Sequence, residues 1–219
     1  MHLSALRHGQ LFFETYLAPS ARATIVDIGA QNINGSLRQC APVGCEYIGV
    51  DFVSGEGVDL VLEDPYHLPF ADASIDIVVS SSCFEHIEFF WLMFNEVLRV
   101  LKPNGLFYLN TPSNGDFHRY PVDCWRFYPD AGQALVKWGQ RSGFSCALLE
   151  SCVAYQDRDI WNDHLAVFIR DCAHIQHHPQ RMLTRLDRYM NGQLYGSESV
   201  LSWQTASEDR QRQRASGPR

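Results

Sequence analysis

The sequence predicts an α/β fold: a seven-stranded, mostly parallel sheet with helices on both faces and an antiparallel final strand. Three observations carry this expectation. Short β-branched or apolar runs recur along the chain, segments with helical apolar spacing lie between them, and successive runs close on an aspartate. Strands separated by helical segments need crossover connections, and crossovers produce a parallel sheet covered on both faces.

Leu3, Leu6, Leu11, Phe12, Phe13, Tyr16 and Leu17 fall roughly on one helical face, and Pro19 stops the helix. Residues 1–20 therefore form a leading amphipathic helix. Ala23 to Gly29 reads as a buried strand meeting a turn, and helical residues resume near Gly35. Tyr47–Asp51, Val58–Leu62 and Ile75–Ser80 supply strands two to four. Phe90, Met93, Phe94, Val97 and Leu101 mark a helix that the turn residues Lys102-Pro103-Asn104-Gly105 end, before strand five at Leu106–Asn110. A helix is expected from about Asp130 to Gln140, and Phe144–Val153 with Asp163–Arg170 reads as a terminal strand pair. The main domain spans 21–172. Residues 173–219 are expected to hold one helix, Pro179 to Met190, and a loose tail.

The 219 residues, 46% hydrophobic and 12% aromatic, suffice for a sizeable core. Net charge is −7, and the acidity belongs to the body: residues 1–171 hold 21 acidic and 11 basic residues, residues 172–219 hold 4 and 7. An acidic body with two lysines, Lys102 and Lys137, is poorly suited to a phosphate backbone, which argues against nucleic acid as partner. Arg210, Arg212 and Arg214 read as part of a solvated terminus. Seven cysteines without a Cys-x-x-Cys pair suggest a reducing compartment, with most of them acting as small core residues. No apolar run approaches the length of a membrane span, so a cytoplasmic location without membrane association is expected.

In open α/β sheets ligands bind at the carboxyl ends of the strands, where strand order reverses. Asp27 closes strand one, Asp51 ends strand two and Asp64 follows strand three. One such carboxylate is ordinary, since aspartate also caps helices. Three in succession point to a ligand.

Six segments now matter together: Val26-Asp27-Ile28-Gly29-Ala30, Gly49-Val50-Asp51, Asp64-x3-Leu68-Pro69-Phe70, Ser74-Ile75-Asp76-Ile77-Val78, Phe84-Glu85-His86 and Leu98 to Gly105. In order and spacing they resemble the class I, Rossmann-like S-adenosylmethionine-dependent methyltransferases, methyltransferase type 11-like, with the nearest likeness to small-molecule enzymes related to the ubiquinone and sugar O-methyltransferases. The resemblance covers roughly Arg22 to Arg170. It implies S-adenosylmethionine as cofactor and O-methylation of a small molecule or sugar-containing acceptor.

The resemblance also implies roles. Gly29 would let the backbone approach the methionine half of the cofactor, and Asp27 would meet its ammonium group. Asp51 would accept from both ribose hydroxyls, Asp64 from the adenine amino group, and Ser80, leaving strand four, would offer its carbonyl. Ala30, Gln31 and Phe52 complete the expected cofactor set. The turn Gly29-Ala30-Gln31-Asn32-Ile33-Asn34-Gly35 lacks the family's further glycines, so Gln31 and Asn32 either contact ligand or serve the turn. Pro65 has no N–H to give the adenine ring, leaving Tyr66 or a water as donor. A nicotinamide dinucleotide would need the missing glycines for its pyrophosphate, which S-adenosylmethionine does not carry.

Glu85 and His86 follow strand four and are the candidate catalytic residues. A histidine there has the intrinsic pKa to take a proton from an acceptor hydroxyl; it can equally pack at a helix start. In ubiquinone-type relatives a Glu-x-x-Glu-His run can hold a divalent metal, but Ser82 stands at the first glutamate position, and no metal is expected. His118, Arg119, Tyr120, Asp123, Trp125 and Arg126 lie in a polar, aromatic segment after strand five that suits an acceptor pocket for a glycan or polar ring. The same segment can be an ordered connection tied by Arg119 and Arg126 to Asp116 and Asp123. His177-His178 lacks a third ligand and reads as exposed capping sequence. A small-molecule acceptor and a second copy of the chain are the expected partners; a noncatalytic module of the same fold is the alternative.

Overall fold

The computed structural model describes residues 2–155, 161–207 and 210. Five parallel strands form the centre: β1 (Thr24–Ile28), β2 (Glu46–Asp51), β3 (Leu60–Val61), β4 (Ile75–Ser81) and β5 (Leu101–Pro112). Three antiparallel pairings follow, through β6 (Ala147–Ala154), β7 (Asp163–Ile169) and β8 (Tyr189–Leu194), in the order β3-β2-β1-β4-β5-β7-β6-β8. The described sheet thus has eight strands, one more than the sequence predicts.

Alternation along the strands builds two cores. Val26, Val78, Phe107 and Phe168 face α2 (Phe90–Val100) and α3 (Ala131–Arg141), while Ile25, Ile77, Tyr108 and Val167 face α1 (Leu3–Tyr16). Phe12 of α1 stacks on Tyr108 at 4.7 Å. Both faces are covered, as expected.

Several elements differ from expectation. After β1 the helical segment is a single 3-10 turn, Leu37–Cys40, capped by Ser36 Oγ accepting from the Arg38 N–H at 3.2 Å. Ala41 precedes Pro42 and takes the extended conformation that proline imposes, so the turn cannot lengthen. Strand three is two residues long, and Asp59 before it accepts the Gly49 N–H at 2.7 Å on its carboxylate, together with a contact from Arg38. Lys102 to Gly105 sits inside β5 as a bulge, with Ile75 opposite Leu101 and Ile77 opposite Leu106.

The expected helix Pro179 to Met190 does not form. The chain instead makes 3-10 turns at Cys172–His177 and Met182–Thr184 and then adds β8 to the edge of β6. Buried Glu150 of β6 accepts the N–H groups of Met182 (2.7 Å) and Leu183 (2.8 Å), holding that backbone in a turn. The apolar spacing is used all the same: Met182, Leu183 and Met190 are buried. The first part of the expected loose tail is structured instead, since β8 runs to Leu194 and Gly192 bridges Leu201, while residues 208, 209 and 211–219 lie outside the described residues. All seven cysteines are free; Cys146 and Cys152 are buried, whereas Cys124 and Cys172 are exposed. No described helix is long and apolar enough to cross a membrane.

Candidate active site

Strand order reverses between β1, which continues outward through β2 and β3, and β4, which begins the other half. The crevice beyond their carboxyl ends is where such sheets bind ligands. Gly29 (φ +79°) lies there, its N–H donating to Val50 O at 3.0 Å. A Cβ on it would stand 2.4 Å from Cys83 Sγ and 2.5 Å from Cys83 Cβ. Protein packing across the switch point is thus sufficient reason for this glycine, in addition to the ligand clearance that the sequence suggests.

Asp27 is 3% exposed, and its Oδ2 accepts the Tyr47 hydroxyl at 2.7 Å. Burial pushes the carboxyl up to about 7 against the opposing Tyr47 hydrogen bond and the Arg38 charge. Asp51 accepts from the Val53 N–H (3.2 Å) and the Gln31 N–H (3.4 Å). Phe52 beside it is half exposed. Asn32 serves the turn: its Oδ1 accepts the Gly35 N–H at 2.8 Å and its amide donates to Glu56 at 2.9 Å. Gln31 instead reaches across the crevice, accepting the Tyr120 hydroxyl at 3.3 Å. Buried Ala30 packs against Gly49, where a Cβ would meet it at 2.8 Å.

Two expected roles change. Tyr66 N–H donates to Asp64 Oδ1 at 2.9 Å, so the amide proposed to replace the one missing at Pro65 already has an acceptor. Ser80 does not leave the strand: it lies within β4, fully buried, its hydroxyl donating to Ile28 O at 3.0 Å. The chain leaves at Ser82, whose φ is +54°.

On the other side of the crevice Phe84–His86 forms a 3-10 turn. Glu85 is 1% exposed, its Oε2 has no described hydrogen-bond partner, and burial pushes the carboxyl up to about 8. Its backbone oxygen accepts from Cys124 (2.8 Å) and Trp125 (3.2 Å), fixing the 114–129 segment to this turn. His86 Nδ1 faces Val122 O. A carbonyl only accepts, so Nδ1 carries the hydrogen and Nε2 keeps a lone pair. That Nε2 lies 3.7 Å from Glu85 Oε1, and burial lowers the ring's pKa.

Asp123 organises the rest of the segment. It accepts both terminal nitrogens of Arg126 (2.6 and 2.8 Å) and the His118 N–H (2.7 Å). Burial opposes ionisation, but the Arg126 fork outweighs it and holds the carboxyl down to about 2. Of the expected pairing of Arg119 and Arg126 with Asp116 and Asp123, Arg126 takes Asp123 and donates to Asp116 O, whereas Arg119 donates to Pro121 O. Trp125 Nε1 donates to Ile87 O at 3.0 Å. Sequence reasoning missed Trp161, which carries no motif: its ring meets His118 edge-on at 4.7 Å and lies 5.4 Å from the Arg126 guanidinium.

The fold also joins residues that the sequence lists separately. His118 approaches His86 edge-on at 4.9 Å, and ligand atoms of Glu85, His86 and His118 lie within 4.8 Å of one another. His178, in contrast, has Nε2 against Asn104 O at 3.1 Å.

Comparison with known proteins agrees with the fold. Residues 11–109 match the family model described as a methyltransferase domain. An uncharacterized methyltransferase of Mycobacterium leprae is 33% identical over 114 residues, 47% of this chain and 42% of that protein. The alignment therefore spans less than half the length of this curated relative. Among solved structures, Burkholderia thailandensis 1,6-didemethyltoxoflavin-N1-methyltransferase, with bound 1,6-didemethyltoxoflavin and S-adenosylhomocysteine, superposes with TM-score 0.59 at 13% identity over 77% of this chain and 79% of that one. Haemonchus contortus phosphoethanolamine N-methyltransferase 2, in complex with S-adenosyl-L-methionine, superposes with TM-score 0.52 at 14% identity over 75% of this chain and 52% of that one.

Proposed function

Since residues 11–109 match the family model described as a methyltransferase domain, we propose that this chain is a class I methyltransferase that moves the methyl group of S-adenosylmethionine to an oxygen of a small molecule or sugar-containing acceptor. The observation that carries the cofactor assignment is the placing of Asp27, Asp51 and Asp64 at or just beyond successive carboxyl ends of β1, β2 and β3, along the crevice at the switch point.

The residues fit the cofactor's chemistry. Asp51 lies beside the exposed ring of Phe52, a carboxylate for hydroxyls next to an apolar face for a base. Asp27 is a buried carboxyl whose ionised form an ammonium group would favour. The sulfonium supplies an already activated methyl group. The protein's task is alignment and proton removal. With Nδ1 held on Val122 O, His86 keeps its Nε2 lone pair, suited to accept the acceptor's hydroxyl proton as the new O–C bond forms and the S–C bond breaks. Tyr120, bonded to Gln31, links the cofactor turn to the acceptor side.

Calorimetry with S-adenosylmethionine and S-adenosylhomocysteine tests the reading, and absence of binding to either overturns it. Asp51→Ala should weaken cofactor binding, whereas His86→Ala should lower turnover with cofactor binding intact. Unchanged kinetics in both variants would refute the assignments. One observation favours a second reading, a noncatalytic module that keeps the fold: the Tyr66 amide is already taken by Asp64. Cofactor binding without conversion across a broad acceptor panel would select it.

A further inference from the structure

We propose that Glu85, His86 and His118 form a site for a divalent transition-metal ion, with zinc as the best-fitting probe, at the acceptor end of the crevice. The set is drawn from two segments far apart in sequence, the 3-10 turn after β4 and the segment after β5, and it does not use position 82. Candidate ligand atoms of the three residues lie within 4.8 Å of one another, and Glu85 Oε1 is already 3.7 Å from His86 Nε2. Tetrahedral ligands at about 2.1 Å from an ion stand roughly 3.4 Å apart. Closing the set from 4.8 Å needs a movement of up to about 1.4 Å, which the 40% exposed side chain of His118 can make.

Three further features suit a metal. Glu85 is 1% exposed, and its Oε2 has no described hydrogen-bond partner. A buried carboxylate oxygen without a partner is costly, and a cation compensates it. The Arg126 charge acts on Glu85 from a distance, but its terminal nitrogens are spent on Asp123 and on the carbonyls of Trp125 and Asp116.

Both histidines are also backed as ligands usually are. His86 Nδ1 gives its hydrogen to Val122 O, and His118 Nδ1 faces two acceptors, Asp116 O at 3.3 Å and Asp123 Oδ2 at 3.5 Å. Each arrangement leaves Nε2 with the lone pair a metal needs. Two imidazoles and one carboxylate favour zinc or a neighbouring transition metal over magnesium or calcium, which prefer all-oxygen shells. Three protein ligands leave a position open, where an ion would hold and polarise an acceptor hydroxyl; His86 Nε2 would serve as base in the metal-free chain and as ligand in the loaded one, where the hydroxyl proton, acidified by the ion, would leave to solvent as the O–C bond forms.

The test uses the full chain, treated with chelator and titrated with zinc by calorimetry, then with cobalt(II) monitored by its visible absorption. One equivalent should bind. His118→Ala and Glu85→Gln should each weaken zinc by roughly tenfold or more, while Cys124→Ser, at a nearby exposed thiol, should leave affinity unchanged. Circular dichroism and thermal melts check that the variants fold. A wild-type chain that binds no zinc, or a folded His118→Ala variant that binds it equally well, overturns the site; the second result would place the ion elsewhere. The titration contains no S-adenosylmethionine, so failure of the metal site and failure of the methyl-transfer reading appear in different experiments.

Discussion

Tyr47 and Asp27 meet across adjacent strands, the phenol of β2 donating its hydrogen to Asp27 Oδ2 at 2.7 Å on the α1 side of the sheet. Burial works against the carboxylate more strongly than this hydrogen bond works for it, and the folded chain holds the carboxyl at about 7, from an ordinary value of 3.8. A raised carboxyl pKa means that the folded state binds a proton that the unfolded chain releases. Its contribution to stability is complete below the unfolded value and is lost as pH rises through about 7. Asp27→Asn should therefore gain melting temperature over wild type as pH rises from about 4 to about 7, with a linkage limit on the order of 4 kcal/mol. Thermal melts across that range would reject the assignment if the difference between the two proteins stayed constant.

Gly29→Ala should destabilise the chain by about 3 kcal/mol or more, from strain at positive φ plus overpacking. The new Cβ would meet both Sγ and Cβ of Cys83. Cys83→Ala removes the sulfur and leaves the Cβ contact at 2.5 Å, so it should not rescue Gly29→Ala; Cys83→Gly should do so in part. Denaturant midpoints of the single and double variants distinguish these outcomes.

Arg126→Ala should cost about 3 kcal/mol, because it strands the Asp123 carboxylate, whose side chain is 2% exposed. Arg126→Lys keeps the charge but not the two-pronged geometry, and should lose part of this. Trp161 lies against the guanidinium and the His118 ring. Both substitutions should shift the tryptophan emission, and an unshifted spectrum with wild-type stability would contradict the role given to the Asp123–Arg126 pair.

Glu150→Ala should destabilise the C-terminal segment by about 3 kcal/mol. It strips the acceptor from two buried N–H groups, of Met182 and Leu183, and from the Tyr16 hydroxyl. Amide hydrogen exchange should accelerate at Met182 and Leu183 before it does in β1 or β4. Exchange that rises uniformly over the sheet would show that Glu150 does not hold this segment in particular.

Much of this arrangement was legible from residue order. The β-branched runs ending at Asp27 and Asp51 became β1 and β2, and the spacing of Phe90, Met93, Phe94 and Val97 became α2. Misreadings arose where a distant group competes with local pattern. Met182, Leu183, Leu186 and Met190 have helical spacing, yet Glu150, more than thirty residues earlier, takes the amides of two of them and the unpaired edge of β6 takes the next segment as β8. Ser80 read as a strand exit, but β4 continues to Ser81 because β5 extends beside it.

Taken alone, the sequence determined the strand and helix alternation, the acidic strand ends and the composition of the polar segment after strand five. These depend on period and residue type, which neighbours in the chain express directly. Only the tertiary structure decided that Gly29 faces Cys83, that Tyr120 reaches Gln31, that Asp123 serves Arg126 and His118 together, and that His118 joins Glu85 and His86. Those contacts close between strand ends brought side by side by the crossover topology, and no local pattern encodes the distance between them.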